Sequence, residues 1–236
     1  MSEFSNLDQI DIKGKKVFLR VDFNVPLNEG KVISDIRILE VIPTIKLILN
    51  KGAAVIIGSH LGRPKGKIVP ELSISPIASI LKQHLKLTNI SVASDVIGES
   101  AISLSTKLQP GDVMLIENLR FESGEETNDI EMARVLASMA DIFVNDAFSC
   151  SHRSHASVQA ITSFLPSVAG LSMYKEIDML NKVLKKPIKP VTAIVGGSKI
   201  STKLAILEHL IEKVDHMIIG GAMANTFLFA NGYSVG

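Results

Sequence analysis

The 236-residue chain has one cysteine, Cys150, which excludes an intrachain disulfide and any metal cluster built from several of its own thiolates. Such sparing use fits a reducing compartment. Net charge is nearly absent too: 25 Lys and Arg stand against 24 Asp and Glu, a formal +1. Nothing global therefore attracts nucleic acid or an anionic membrane, and an anion site must arise from where the cations sit. Long hydrophobic runs are missing. The strongest, AAVIIG and MIIGGAMA, fall far short of the roughly 18 residues of a membrane span. The amino-terminal stretch MSEFSNLDQIDIKG carries early acids without the apolar centre of a signal peptide. A soluble, cytoplasmic protein is expected.

What is present is a large apolar fraction, 46% of residues, enough for a sizeable core. Short β-branched runs alternate with longer amphipathic segments. Lys16–Val21, Ala54–Gly58, Val113–Glu117, Ile142–Asn145, Thr192–Val195 and His216–Ile219 read as strands. Their nearly continuous apolar character suits parallel strands covered on both sides. Helices are expected at about Asp35–Asn50, Ile74–Leu85, Asp129–Ala140, Tyr174–Leu184, Lys199–Lys213 and Ala222–Ala230. The alternation predicts an α/β fold on an open, doubly wound parallel sheet of the Rossmann-like kind. Ser34 or Asp35 can cap the first helix and Gly52 can end it after Lys51, while Pro43 predicts a kink or a late start. Asn128 is a candidate cap for the third. Between Lys86 and Leu108 a short strand at Ile90–Ala93 and a short helix are expected, before a turn at Gln109–Pro110–Gly111.

The pattern changes around Leu171–Pro190, where a charged helix is followed by Pro187, Pro190 and a fresh apolar strand. This predicts a first domain, 1–171, a connector helix, 172–189, and the beginning of a second domain, 190–236, the alternative being that the last elements extend the first sheet. The last segment has room for about two strands and two helices, too few to cover both faces of a parallel sheet. The second domain is therefore expected to be cut short.

Charged and polar residues gather just past the strands, where open parallel sheets hold ligands. After the first strand, Asp22 and Asn24 alternate with Phe23, so a carboxylate and an amide could face a hydroxylated ligand or merely hold an arginine and a turn. Arg37 sits in a first helical turn, where the dipole favours negative charge; a bound anion would give it a purpose, and solvation is the plainer alternative. Ser59-His60-Leu61-Gly62-Arg63-Pro64 combines a histidine able to change charge near neutral pH, a glycine permitting close approach and an arginine able to grip two oxygens. Glu117-Asn118-Leu119-Arg120-Phe121 and Asn145-Asp146-Ala147-Phe148, followed by His152-Arg153-Ser154-His155, repeat the pattern. Arg120 could pair with Glu117 or Glu122, and Asp146 with Arg153. Together the four loops favour a small polyanion carrying phosphate and carboxylate groups. His60, His152 and His155, with Asp22 or Asp146 adding oxygen, could also suggest a metal, but the neighbouring arginines oppose a cation and no HExxH motif is present, so no metal is expected at these histidines.

A fifth segment, Gly196-Gly197-Ser198-Lys199-Ile200-Ser201-Thr202-Lys203, follows a later strand. Its glycines can bring backbone donors to phosphate, and Lys199 and Lys203 add charge one helical turn apart. It is neither the P-loop pattern nor the dinucleotide fingerprint. Lys203 could equally be a solvated helix residue.

Taken in order, RVDFNVP (20–26), SDIRI (34–38), GSHLGRP (58–64), ENLRF (117–121), VNDAF with HRSHAS, GGSKISTK and GGAMANTF resemble the phosphoglycerate kinase family across essentially the whole chain. The resemblance implies a two-domain kinase with its second domain incomplete here. It implies reversible phosphoryl transfer between Mg2+-bound ATP, or ADP, and the carboxylate of 3-phosphoglycerate, giving 1,3-bisphosphoglycerate. Asp22, Phe23, Asn24, Arg37, His60, Leu61, Gly62, Arg63, Arg120 and Arg153 are implied as the acid cradle. Lys203 is implied as a nucleotide contact, and Arg37, Lys199 and Lys203 as catalytic stabilisers of the transferring group. Glu176 resembles a hinge residue, and the family suggests a monomer. FSCSH at 148–152 departs from the family's frequent FGTAH, with a packing role expected for Cys150. With the second domain incomplete, weak acid binding and little or no kinase activity are expected of this chain; a noncatalytic domain binding a small phosphorylated acid is the alternative.

Overall fold

Aliphatic and β-branched residues recur on both sides of the early strands, and the computed structural model shows why. It describes residues 6–28, 30–185, 187–198, 200–201 and 203–235. The chain divides into two compact units, Met1–Glu176 and Ile177–Gly236. In the first, β1 (Lys16–Arg20) is followed by a small antiparallel hairpin of β2 (Leu27–Asn28) and β3 (Lys31–Val32). Then come β4 (Ala54–Gly58), β5 (Ser91–Val92), β6 (Val113–Leu115), β7 (Ile142–Asn145) and β8 (Ser167–Ala169). Apart from the hairpin these form one sheet in the order β5-β6-β4-β1-β7-β8, with every neighbouring pair parallel.

Side chains alternate across a strand, so each strand feeds two cores. Val17, Leu19, Val55 and Ile57 pack with residues of α1 (Ile36–Asn50) and α2 (Ile77–Leu85) on one face. Phe18, Ile56, Met114 and Phe143 pack on the other with residues of α3 (Glu99–Lys107) and α5 (Ile130–Ser138), α4 (Ser123–Glu126) being a single turn between them. The sheet is thus doubly wound. Because its strands are parallel, the loops leaving β1, β4, β6 and β7 all emerge at one edge.

Local differences from the sequence reading have local causes. α1 runs through Pro43 without interruption. The ring lies on the exposed side, and Leu39, whose carbonyl loses its helical donor, is also exposed, so water can serve that oxygen. Asp35 occupies the cap position without a side-chain cap bond and faces His84 Nε2 at 3.3 Å instead. Asp129, not Asn128, caps α5 by accepting from the Met132 amide at 2.7 Å. Asn128 takes a left-handed φ of 57° and accepts from the Ala160 amide. β6 ends at Leu115, because Glu117 turns aside to accept from the Ile74 amide and Ser73 hydroxyl. The hairpin and β8 were not legible, being only two and three residues long.

α6 (Leu171–Lys185) spans the division between the units. The second unit holds β9 (Thr192–Gly196), α7 (Leu204–Ile211), β10 (His216–Gly220) and α8 (Ala222–Ala230), with β9 and β10 parallel. Burial here alternates instead of being continuous: Ala193 and Val195 are half-buried while Ile194 is 75% exposed. The continuous apolar reading therefore fails for β9 and β10, whose burial instead agrees with two strands and two helices being too few to cover both faces. α7 begins at Leu204 with Lys203 at its cap, so Lys203 is not one turn inside a helix starting at Lys199; Lys199 lies outside the described residues. No described helix is long and apolar enough to cross a membrane.

Candidate functional site

Four loops at the carboxyl edge of the main sheet meet around Asp22. Its Oδ1 accepts from the Asn24 amide at 3.0 Å. Oδ2 accepts from Arg37 Nη1 at 3.0 Å and from the Ser149 hydroxyl. Burial pushes this carboxyl up, but the Ser149 and Asn24 hydrogen bonds, with the field of Arg37, hold it below the usual range. Arg37 also donates to the Asn24 carbonyl at 3.2 Å and remains about half exposed. Its first-turn position thus serves a carboxylate across the loop edge. Phe23 is buried in the core, its amide donating to Ser59 Oγ at 2.8 Å, so it anchors the loop through packing.

Asn24 Oδ1 accepts from the Gly62 amide at 2.9 Å, joining the β1 and β4 loops. Gly62 has φ of 62°, a conformation that favours glycine, and a Cβ there would lie 2.8 Å from the tip of the Leu72 side chain, which would have to turn aside. The Leu61 amide donates to Asn118 Oδ1 at 3.1 Å, and the Asn118 amide group donates back to the Leu61 carbonyl at 2.8 Å. Arg120 is nearly buried, donating to the Gly62 carbonyl at 2.7 Å with Nε 3.3 Å from Glu126. It therefore pairs with neither Glu117 nor Glu122. Burial lowers its pKa, opposed by Glu126 and reinforced by the nearby Arg153. Arg63 and Arg153 are exposed, and Arg63 has no side-chain partner among the described residues.

His60 is buried and neutral. Burial, then the charges of Arg20 and Arg120, depress its pKa to about 3. Arg20 Nη2 lies 3.3 Å from Nδ1, and a guanidinium can only donate, so Nδ1 accepts and the proton sits on Nε2. The ring is a fixed neutral donor, and the expected change of charge near neutral pH does not occur.

Beneath it runs a buried polar network that sequence reasoning missed. Arg20 is 1% exposed and Glu125 0%. Arg20 donates to Ser157 Oγ at 2.9 Å, Ser157 donates to Glu125 at 2.6 Å, and Arg20 and Glu125 stand 3.9 Å apart. Burial raises the Glu125 pKa, but His155, Arg20 and Ser157 outweigh it and keep the carboxylate ionised. The signal lay in KVFLRV: a charge inside a buried strand requires a buried partner. Nothing in the SGEET context marked Glu125 as that partner. Asp146 does not pair with Arg153 either. It accepts from Thr44 and from the Met173 amide at 2.9 Å at the start of α6, and burial raises its pKa against those hydrogen bonds. Asp22, Arg37, Ser149 and Asp146 line one cavity with Glu176.

In the second unit, Lys203 Nζ donates to the Gly196 carbonyl. A Cβ on Gly221 would come within 3.0 Å of the Gly197 carbonyl, and the Met223 amide donates to that carbonyl at 2.9 Å. The two strand-to-helix loops are thereby packed backbone to backbone. The 196–203 segment has no carboxylate, so its ammonium and backbone groups suit phosphate oxygens and not a metal ion.

The family model "Phosphoglycerate kinase" matches residues 7–236. A phosphoglycerate kinase of Pelotomaculum thermopropionicum is 52% identical over 227 residues, 96% of this chain and 58% of that protein. The solved structure of phosphoglycerate kinase from Coxiella burnetii superposes with a TM-score of 0.89 at 40% identity, covering 99% of this chain and 58% of that one. The Pyrococcus horikoshii enzyme gives 0.86 at 33% identity, over 98% and 58%. This chain thus spans 58% of the length of the relatives it matches. The match runs through both units without a break. The expectation of a partial family member of doubtful activity is corrected to this extent: the family's two-domain α/β pattern extends over nearly the whole chain, residues 7–236. The chain belongs to the phosphoglycerate kinase family.

Proposed function

We propose that the protein transfers a phosphoryl group reversibly between ATP and the carboxylate of 3-phosphoglycerate, forming ADP and 1,3-bisphosphoglycerate. The observation that carries this reading is the meeting of loops from adjacent parallel strands, where Arg37 pairs with Asp22, Asn24 accepts from the Gly62 amide, Arg120 donates to the Gly62 carbonyl and His60 lies beside Asp22. Such a rim suits a small acid bearing both a phosphate and a carboxylate.

In this reading Asp22, Asn24 and His60 orient the acceptor, with the His60 Nε2 proton donated to an acceptor oxygen at any physiological pH. Phe23, Leu61 and Gly62 shape the wall, and Arg63, Arg120 and Arg153 bind the anionic groups. A carboxylate is already ionised near neutral pH, so no general base is required. The demand is for charge stabilisation as the phosphoryl group moves. Arg37 and Lys203 are assigned that task, with Lys199 joining them on sequence grounds. Lys203 also contacts the nucleotide phosphates, and Mg2+ arrives bound to the nucleotide and neutralises phosphate charge. The protein acts as a monomer in the cytoplasm.

Isothermal titration is expected to detect 3-phosphoglycerate and give no response to an uncharged analogue; equal responses would remove the cradle assignment. The protein as the cell makes it should form ATP from ADP and 1,3-bisphosphoglycerate in a coupled assay. Binding without turnover would favour a noncatalytic phosphorylated-acid domain. Arg37→Ala should lower turnover by at least ~100-fold, a typical loss for one transition-state donor, with the circular dichroism unchanged. Undiminished turnover would discharge Arg37 from that role.

A further inference from the structure

The geometry points to a binding site for one thiophilic divalent cation of the zinc class, formed by Asp22, His60 and Cys150. Each offers a ligand atom, and the three atoms lie within 4.8 Å of one another. Cys150 Sγ is 3.9 Å from His60 Nδ1. A tetrahedral zinc with a Zn–S bond of ~2.3 Å and a Zn–N bond of ~2.0–2.1 Å needs sulfur and nitrogen ~3.6 Å apart, so this pair closes with a shift of a few tenths of an ångström. The carboxylate needs the larger movement. It comes from the loop after β1, while the other two ligands come from the loops after β4 and β7.

The donor set is one zinc favours: a thiolate, an imidazole and a carboxylate, leaving a fourth position open. Carboxylate and thiolate together balance a double positive charge, and Cys150 releases its thiol proton to solvent on binding. Two guanidiniums touch the ligands and stand against the cation, Arg20 at 3.3 Å from Nδ1 and Arg37 at 3.0 Å from Asp22, and the charge of Arg120, felt by both His60 and Cys150, adds to theirs. Neither is orphaned when the metal takes those lone pairs. Arg20 keeps the Val21 carbonyl, Ser157 and Glu125, and Arg37 keeps the Asn24 carbonyl. Their repulsion makes the site weaker than a structural zinc centre, hence reversible. The sequence reading weighs a metal among His60, His152 and His155, with Asp22 or Asp146 adding oxygen. Among the described residues the fold instead gives His60 a cysteine and an aspartate, while His155 turns to Glu125 at 3.6 Å. Two of the ligands are the groups assigned above to the acceptor, so if that reading holds, a bound cation inhibits.

Cobalt(II) is the direct probe, added to chelator-treated protein without substrate, so the outcome is independent of the kinase reading. One equivalent is expected to bind with a thiolate-to-cobalt charge-transfer band, and zinc should displace it. Cys150 is the sole cysteine, so the band can report only this residue. Cys150→Ser should abolish it, and Asp22→Asn and His60→Gln should each weaken binding at least ~10-fold, the scale expected for lost metal-site contacts. No band, or affinity untouched by both latter variants, overturns the site. X-ray absorption of zinc on the unmutated protein guards against misfolded variants: one sulfur near ~2.3 Å with nitrogen or oxygen donors supports the proposal, and a shell without sulfur ends it.

Discussion

The site depends on a few side chains whose charge state is set by their neighbours. His60 has its folded pKa depressed to about 3 from an ordinary 6.5. Between those values the unfolded chain binds a proton that the folded protein does not, so stability falls as pH drops through that window. Each unit of depression is worth about 1.4 kcal/mol. His60→Gln should flatten urea-unfolding free energy against pH between 6.5 and 3; an unchanged slope would show that His60 titrates normally. Glu125 illustrates the opposite dependence. Its depressed pKa contributes stability above the unfolded value, lost as pH falls through the folded one. Glu125→Ala strands the buried Arg20 charge, and a loss of about 3–5 kcal/mol is expected by denaturant unfolding. A loss below ~1 kcal/mol would mean that water or another group already serves Arg20.

At the scale of elements, helix ends were less legible than helix existence because one hydrogen bond decides them. Asn128 and Asp129 are both good capping types; the left-handed φ of Asn128 sends its amide to Ala160, leaving Asp129 to accept from Met132. Asp129→Ala is therefore expected to cost about 1 kcal/mol, or about 2–4 °C of melting temperature if unit 1 melts as a single transition. Asn128→Ala should act through its strained φ and the Ala160 contact and not by fraying α5, which amide exchange of the first turn would distinguish. The sequence predicts a kink or a late start at Pro43 because its missing donor is costly. Its cost is lowered by placement on the wet side of α1, beyond what apolar spacing alone reveals.

At the scale of the molecule, the two units differ in how completely their sheets are covered. In the first, alternating side chains enter two cores. In the second, Ile194 and Ile218 are partners across neighbouring strands, yet 75% and 52% exposed. An exposed apolar pair of this kind should bind a hydrophobic dye, and replacing both with threonine should reduce that fluorescence without changing far-ultraviolet circular dichroism. Equal dye binding by the variant would locate the apolar surface elsewhere. The sequence by itself determined the strand–helix alternation, the parallel sheet, the helical turn carrying Arg37 and the loop segments carrying Asp22, His60, Arg63, Arg120 and Arg153, because hydrophobic period and charge placement are local properties. Only the tertiary structure decided that Arg20 is buried against Ser157 and Glu125, that His60 is neutral with its proton on Nε2, and that Cys150 stands beside Asp22 and His60. Those facts join residues 40 to 137 positions apart, and a pKa or a ligand set depends on what the folded chain brings near, which sequence spacing does not contain.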